Sequence, residues 1–325
     1  MLSSVKDFIR SFLENHDVPF LTEAFLKRRN KIILERLKHN STLSYDEIEK
    51  LVSEFYFKIF GRELNWENPQ TFNEKIQVSE RYDKDPRKTL LADKYLVRDW
   101  VKNIIGEKYL IPLLGVYDNA DEIDFEKLPD KCVLKCNHDS GSVVIWDKSK
   151  RQNINRIKLK LNNCLKINYA WMFFEMNYKD IQPKIIVEKF IGDNVNDYKF
   201  VCFDGVPYYC WVDVNRFIDH RRNFYNMNWE LQPFQMLYKN YESDVKKPEA
   251  FDEMRDLASK LSKDFRHVRA DFYYVNQKIY FGEMTFSSEG GTGVFTPDKW
   301  DYKIGELWEF DNSLRTKERA KNLKP

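Results

Sequence analysis

The chain has 325 residues, 42% of them hydrophobic and 15% aromatic, which suffices for two or three packed layers and excludes disorder. Its 53 basic residues against 51 acidic ones leave a net charge of +2, which gives no footprint for nucleic acid as a partner. No apolar run approaches the ~18 residues of a membrane span, and the five cysteines are odd in number without metal-ligand spacing, so free thiols and a cytoplasmic location are expected.

Residues 1–65 read as a helical N-terminal extension. Val5, Phe8, Ile9, Phe12 and Leu13 recur at the helical period. Ser44 followed by Glu47 has the spacing of a capping box at the head of "YDEIEKLVSEFYFKIF". Between these, "KRRNKIILERLK" holds six basic residues and one glutamate. A solvated helix face explains that run; its alternative is a surface that meets anionic lipid or polymer, at the inner face of the membrane.

"TFNEKIQVSERYD" predicts a helix starting near Thr71 or Asn73, and "KTLLADKYLVRDWVKNII" predicts another that stops at Gly106. On the second, Lys94 and Arg98 stand four apart on one face, where either would reach a phosphate; a solvated helix face explains them as well. Short strand-like runs then follow, interrupted by a mixed, helical "NRIKLKLNNCLKINYAW". In "VLKCNHDSGSVVIW" the tip from His138 through Ser140, Gly141 and Ser142 follows Lys135. A plain hairpin explains this string, and so does a phosphate-covering loop with an ammonium on its strand. "PKIIVEKFI" is an apolar strand, while "DYKFVCFDGVPYYCWVDV" and "VRADFYYVNQKIYFGEMTF" are hairpins turning at Asp204-Gly205 and Asn276-Gln277. The class is α+β with mostly antiparallel strands.

The last hairpin carries the chemistry. Asp271 and Glu283 lie twelve apart across its turn, and two carboxylates on one face are costly unless a cation offsets them. Two hard oxygen ligands suit Mg²⁺, whose other ligands would be water and substrate phosphates. Thr285 shares the face of Glu283 and Arg269 that of Asp271, placing a hydroxyl near the metal and a guanidinium near a transferred phosphoryl group. A salt-bridged surface hairpin, with Arg269 serving the two acids, explains the same residues. Glu188 and Asp197 would accept from an exocyclic amine and from ribose hydroxyls. The glycines of "FSSEGGTGVF" suggest either close approach of backbone to a ligand or a plain flexible turn.

Taken in order, "FNEKIQ", "ADKYLVR", "YLIPLLGVYD", "VLKCNHDSGS", "IIVEKFI", "DYKFVCFDG" and "YFGEMTFSSEGG" resemble the TupA-like ATP-grasp proteins over roughly residues 60–310. The resemblance implies an ATP-grasp fold, two α+β subdomains clasping ATP. The catalytic region would be 66–310, with a lid at about 130–190 and a basic tail at 311–325. It also implies ATP and Mg²⁺ as cofactors. Lys94 and Lys135 would hold the α- and β-phosphates, and His138 to Ser142 would form the lid loop. Glu188, Lys189, Phe190 and Ile191 would read adenine, and Asp197 the ribose. Lys199 would lie near the phosphates, Arg269 would steady the γ-phosphate, and Asp271 with Glu283 would hold the metal. Lys135, Lys199 and Arg269 would be the catalytic cations. Thr285 stands where many such ligases have asparagine, which leaves the number of metal ions open. The implied reaction phosphorylates a carboxylate and joins an amine to the acylphosphate. The family association adds a uronic acid or another precursor of a capsule or other surface polysaccharide as acceptor, and a peripheral membrane or glycan-assembly partner through the basic N-terminal region. The alternatives are a sugar kinase, a glycosyltransferase-type modifying enzyme or a nucleotide-binding scaffold.

Overall fold

The computed structural model describes residues 19–193, 195–215 and 219–322; the expected helix around Val5–Leu13 and the last three residues of the basic tail lie outside them. Helix α1 (Pro19–Asn40) carries the basic run. Arg36 of that run is tied to the rest of the fold, its Nη2 donating to Met172 O (3.0 Å) at the surface; just after the run, Asn40 Nδ2 donates to Trp171 O (2.8 Å). Helix α2 (Tyr45–Phe60) begins with the predicted capping box: Ser44 Oγ accepts from Glu47 N, and Glu47 accepts from Ser44 N. Such a cap stabilises a helix by about 1 kcal/mol.

Thr71, not Asn73, caps α3 (Phe72–Tyr82), in a second capping box with Glu74. All eleven residues of α3 are buried. A helix this polar tolerates burial because its side chains find partners across the fold. Lys75 Nζ donates to Gly305 O and Trp308 O, Asn73 Nδ2 to Gly293 O, and Gln77 Nε2 to Gly290 O and Gly291 O.

The single helix expected to run to Gly106 is two, α4 (Pro86–Ala92) and α5 (Val97–Ile104). The break is at Asp93, whose carboxylate accepts from the amides of Tyr95 and Leu96 and so competes with the helical ladder. Lys94 therefore sits in a turn, not on a shared helix face with Arg98.

Strands β1 (Leu113–Tyr117), β2 (Lys131–Cys136), β3 (Val144–Asp147) and β4 (Ile185–Lys189) form an antiparallel sheet in the order β1-β4-β2-β3. Cys132, Leu134, Ile185 and Val187 pack with Ile157 and Leu161 of α6 (Ile154–Leu165). The alternate residues, Lys135 and Glu188 among them, take the other face. The stretch expected as one helix continues after α6 as a short α7 (Ala170–Phe173) and a 3-10 turn at Met176–Tyr178.

The second sheet, also antiparallel, comprises β5 (Asp197–Phe203), β6 (Val206–Val214), β7 (Arg221–Asn226), β9 (His267–Val275) and β10 (Lys278–Thr285), in the order β10-β9-β5-β6-β7. Strands β8 (Gln235–Met236) and β11 (Phe295–Thr296) pair separately. Both predicted hairpin turns form with two consecutive positive φ angles, at Asp204-Gly205 and Asn276-Gln277, which matches the twist of the flanking strands. One face of the sheet, with Phe200, Ala270 and Phe272, packs on α8 (Phe251–Ser262). The other, with Val201, Phe203, Trp211 and Phe224, packs on α3 and on α9 (Lys299–Glu306). The basic tail, as α10 (Leu314–Asn322), docks on α2 through Arg315 and Glu49 (2.6 Å).

Candidate active site

The apolar core under α3 covers only part of its sheet face. Asp197 and Lys199 have the parity of Val201 and Phe203, Asp213 that of Trp211, and Arg222 that of Phe224. Charged side chains thus continue the same face beyond the core. Lys199 Nζ lies 2.8 Å from Asp271 Oδ2, 3.5 Å from Asp197 and 3.9 Å from Asp213. Arg269 donates through Nε and Nη2 to the two oxygens of Asp271, each at 2.8 Å. Its Nη2 also donates to Glu283 Oε1 (3.2 Å) and Thr285 Oγ1 (3.1 Å). Arg222 donates to both oxygens of Asp213 (2.5 and 3.1 Å) and through Nη1 to Glu289 (2.6 Å). His220, its ring tilted 32° against that of Tyr238, lies 3.2 Å from Asp213.

Asp271 and Glu283 face each other because the hairpin is irregular. Phe281 pairs with Phe272, yet Glu283 pairs with Asp271, so Gly282 is an extra residue bulged out of the ladder. Without the bulge Glu283 would point to the apolar face.

Burial alone would lower the Lys199 pKa, but Asp197 and Asp271 more than offset it and hold it above the ordinary lysine value. Burial would raise Asp213, but His220, Arg222 and Lys199 hold it far below the carboxylate range. Glu175, beyond α7, behaves oppositely. Burial pushes it up to about 7, against the Ser287 hydroxyl that donates to it and the nearby Arg81. Burial likewise pushes Glu80 well up, and the proximity of Glu175 adds to it.

Lys199, Asp213, Arg222, Arg269, Glu283 and Thr285 floor a cavity of about 870 Å³. Lys94, Asp139 and Ser140 overhang it from one side; Tyr169, Phe173, Glu175 and Tyr178 close another; α1 and α2 contribute Arg36, His39 and the exposed Phe55. Of the predicted residues, Lys94, Ser140, Lys199, Arg269, Glu283 and Thr285 line it, with Asp197 and Asp271 directly behind Lys199. The remainder stand apart. Lys135 pairs with Glu188 (2.6 Å), which also takes Arg98 (3.2 Å). The Lys189 amide donates to Pro112 O, and Lys131 Nζ covers the Phe190 ring at 3.9 Å; Ile191 does not line the cavity. His138 and Ser142 turn inward: His138 Nε2 is 3.1 Å from Ile167 O, and Ser142 Oγ donates to Asp139 (2.6 Å) and accepts from Cys136 N (2.8 Å). They shape the loop, while Ser140 and Gly141, at φ 104°, form its exposed tip.

Among the described residues no cluster of three or more His, Cys, Asp or Glu stands at metal-binding geometry. Asp271, Glu283 and the Thr285 hydroxyl nonetheless fit Mg²⁺, which needs few protein ligands when phosphates and water complete its shell. The Arg269 guanidinium bridges the two carboxylates, supplying part of the positive charge that the pair demands.

Sequence reasoning missed Gln77, Arg81, Glu175, Asp213, Arg222 and Glu289, all on the cavity wall. For Asp213 and Arg222 the strand parity was the available signal; for the others, contacts between distant segments decide.

Residues 74–309 match the family model described as TupA-like ATPgrasp. No curated protein matches the chain. Among solved structures, D-alanine–D-alanine ligase from Bacillus anthracis complexed with ATP is 14% identical, with 71% of this chain and 67% of that chain covered and a TM-score of 0.39. The ATP-grasp ligase PsnB complexed with a minimal precursor is 10% identical, with coverage of 62% and 54% and a TM-score of 0.38, so the match spans about half of that ligase. N5-carboxyaminoimidazole synthetase from Staphylococcus aureus is 13% identical, with coverage of 60% and 44% and a TM-score of 0.36.

Proposed function

The chain belongs to the TupA-like ATP-grasp family, and from that premise we propose that it is an ADP-forming carboxylate–amine ligase. The observation that carries this reading is the charged end of the five-stranded sheet, where Lys199, Arg269, Asp271, Glu283 and Thr285 converge beneath Lys94 and Ser140. ATP would lie between the two sheets. Lys94, Lys135 and Lys199 would hold its phosphates, Arg269 would steady the γ-phosphate, and the strand at Glu188–Ile191 with Asp197 would take adenine and ribose. Mg²⁺ between Asp271 and Glu283 would neutralise phosphate charge when bound. No protein nucleophile is needed, because positioning and charge neutralisation are the main demands of phosphoryl transfer. Tyr169, Tyr178 and Phe173 wall the cavity and would shield an acylphosphate from water.

For the acceptor we propose a uronic acid or another carboxylate-bearing precursor of a capsule or surface polysaccharide. The work would be done in the cytoplasm or at the inner face of the membrane; among the described residues no helix is long and apolar enough to cross a membrane. The test is ADP release over a grid of D-glucuronate and D-galacturonate with common amino acids. A ligase releases ADP and phosphate only when both substrates are present. ADP with a phosphorylated sugar would replace the reading by a kinase, and ATP binding without turnover throughout the grid would replace it by a scaffold.

A further inference from the structure

Part of the cavity lining is apolar and open to water. Leu51 and Phe55 of α2, Phe173 of α7 and Leu237 just after β8 all line it, and they are 43%, 51%, 47% and 55% exposed. Exposed apolar side chains scattered singly need no explanation, but four gathered around one cavity mark a binding surface. On α2 the division is visible in the sequence. Ile48, Val52 and Tyr56 follow the four-residue step of a buried helix stripe, and they pack with Phe174. Leu51 and Phe55, also four apart, form a second apolar stripe beside the first and stay in contact with water.

The backbone is strained where it holds these side chains. Phe174 and Leu237 are bulky residues in the left-handed region, at φ 63° and 62°, where a side chain crowds the following carbonyl. Phe174 closes α7; its own ring is buried while Phe173 is left at the rim. Leu237 is the centre of a three-residue turn in which the Tyr238 amide donates to Met236 O (2.7 Å), and with positive φ that turn is of the rare, strained hand. Glycine or asparagine would suit the position better, yet a leucine stands there with its side chain exposed at the cavity. Strain of this kind gathers where ligands are gripped.

Charge gives the sign of the occupant. The charged side chains that α1, α2 and α7 bring to the lining are Arg36 and His39, and none is acidic. Arg36 gives Nη2 to Met172 O, which fixes the guanidinium beside α7 with N–H donors to spare for an anion. Resting on the ligase reading, we propose that the carboxylate acceptor is amphipathic: its acid end lies over the charged floor, and an apolar chain leaves the cavity across Leu51, Phe55, Phe173 and Leu237, past Arg36. The acceptor is thus a uronic acid or similar acid that carries an alkyl or prenyl chain, and a free sugar acid would leave these side chains wet.

The test titrates the full-length protein calorimetrically, with Mg²⁺ and a non-hydrolysable ATP analogue present, with methyl, butyl and octyl β-D-glucuronides below their micelle concentrations. Octyl β-D-glucoside, which has the chain without the carboxylate, is the control. The octyl glucuronide is expected to bind at least ~tenfold tighter than the butyl one and than the glucoside, since each methylene that leaves water adds up to about fourfold. Phe55→Ser and Leu237→Asn should each cut the octyl-to-butyl ratio by ~threefold or more. Asparagine adopts the left-handed backbone readily, so Leu237→Asn should keep or raise Tm while it loses the chain, which a merely structural leucine would not do. Equal affinity along the series, a glucoside that binds as well as the glucuronide, or an octyl preference undiminished in both variants would overturn the proposal. A preference that appears only after Phe8→Asp would overturn it in favour of the chain's own N-terminal residues, and a dimer that Phe55→Ser dissociates in sedimentation would overturn it in favour of a second copy. Octyl preference retained while no acceptor supports ADP release would count against the ligase reading and not against this site.

Discussion

Asp271→Asn and Glu283→Gln separate the structural from the chemical role of the acidic pair. Asp271 accepts three charge-assisted hydrogen bonds, two from Arg269 and one from Lys199, each at 2.8 Å, and its side chain is 3% exposed. An asparagine there leaves two buried cations short of a counter-charge. Breaking a buried pair of this kind costs about 3 kcal/mol or more. For a chain of this length, an unfolding entropy of about 2.1 cal/mol/K per residue converts that into a Tm drop of roughly 4 °C. Glu283 differs: its bonds from Arg269 and Thr285 are both 3.2 Å and its side chain is 38% exposed, so Glu283→Gln should cost less than about 1 kcal/mol and roughly 1 °C. Both variants should lose ADP release by about 10²-fold or more, since on the proposed reading each removes a carboxylate that would hold the phosphates' counter-ion. The assays are thermal unfolding and coupled ADP release. Turnover retained in Glu283→Gln, or equal destabilisation by both variants, would refute the reasoning.

Gly291→Ala should destabilise by about 3 kcal/mol, because the residue is left-handed at φ 60° and a Cβ would sit 2.8 Å from Gln77 Nε2 and 3.0 Å from Asn73 O. Gly61→Ala, at φ 66° with nothing within 4 Å, should cost only about 1 kcal/mol of strain, and denaturant titration compares the two. Lys135→Met should raise the KM for ATP about tenfold with little change in kcat, read from initial rates, while Arg98 still balances Glu188. Glu175 is ionised in the unfolded chain above pH ~4.3 but holds its proton to about 7 when folded, so the folded state binds more protons in that window and stability falls as pH rises through it. Arg81 and Glu80 of α3, Glu289 of the glycine loop, and Tyr169 and Tyr178 share its surroundings. Glu175→Gln should remove about 3 kcal/mol of that decline between pH 4.5 and 7, seen as a flatter Tm-versus-pH curve.

Local signals carried the element types well where one residue decides the outcome. Ser44 with Glu47 and the two hairpin turns were readable because a cap or a turn depends on neighbours in sequence. Asp93 shows the opposite. Its side chain reaches only two and three residues ahead, yet a periodic apolar pattern runs straight across it, so the pattern suggested one helix where a carboxylate makes two. The polar string of α3 reads as a surface helix by composition and is wholly buried, because its partners lie more than two hundred residues away in the loop and helix near the C-terminus.

The acidic pair exposes the deeper limit. A two-residue turn at Asn276-Gln277 pairs Val275 with Lys278, and a regular ladder continued from there sets Asp271 opposite Gly282 and sends Glu283 to the apolar face with Phe272. Twelve-residue spacing across such a turn therefore argues against a shared face unless one residue is bulged out. Gly282 is that residue: a Cβ on it would lie 3.1 Å from Asp271 O, tight enough to discourage any larger side chain. The bulge brings Thr285 round with Glu283 and returns Met284 to the core, 2% exposed. The glycine in "YFGEMTF" is thus the sequence mark that makes a carboxylate pair at this spacing geometrically attainable, and the placement of the two acids depends on it more than on the turn that precedes it.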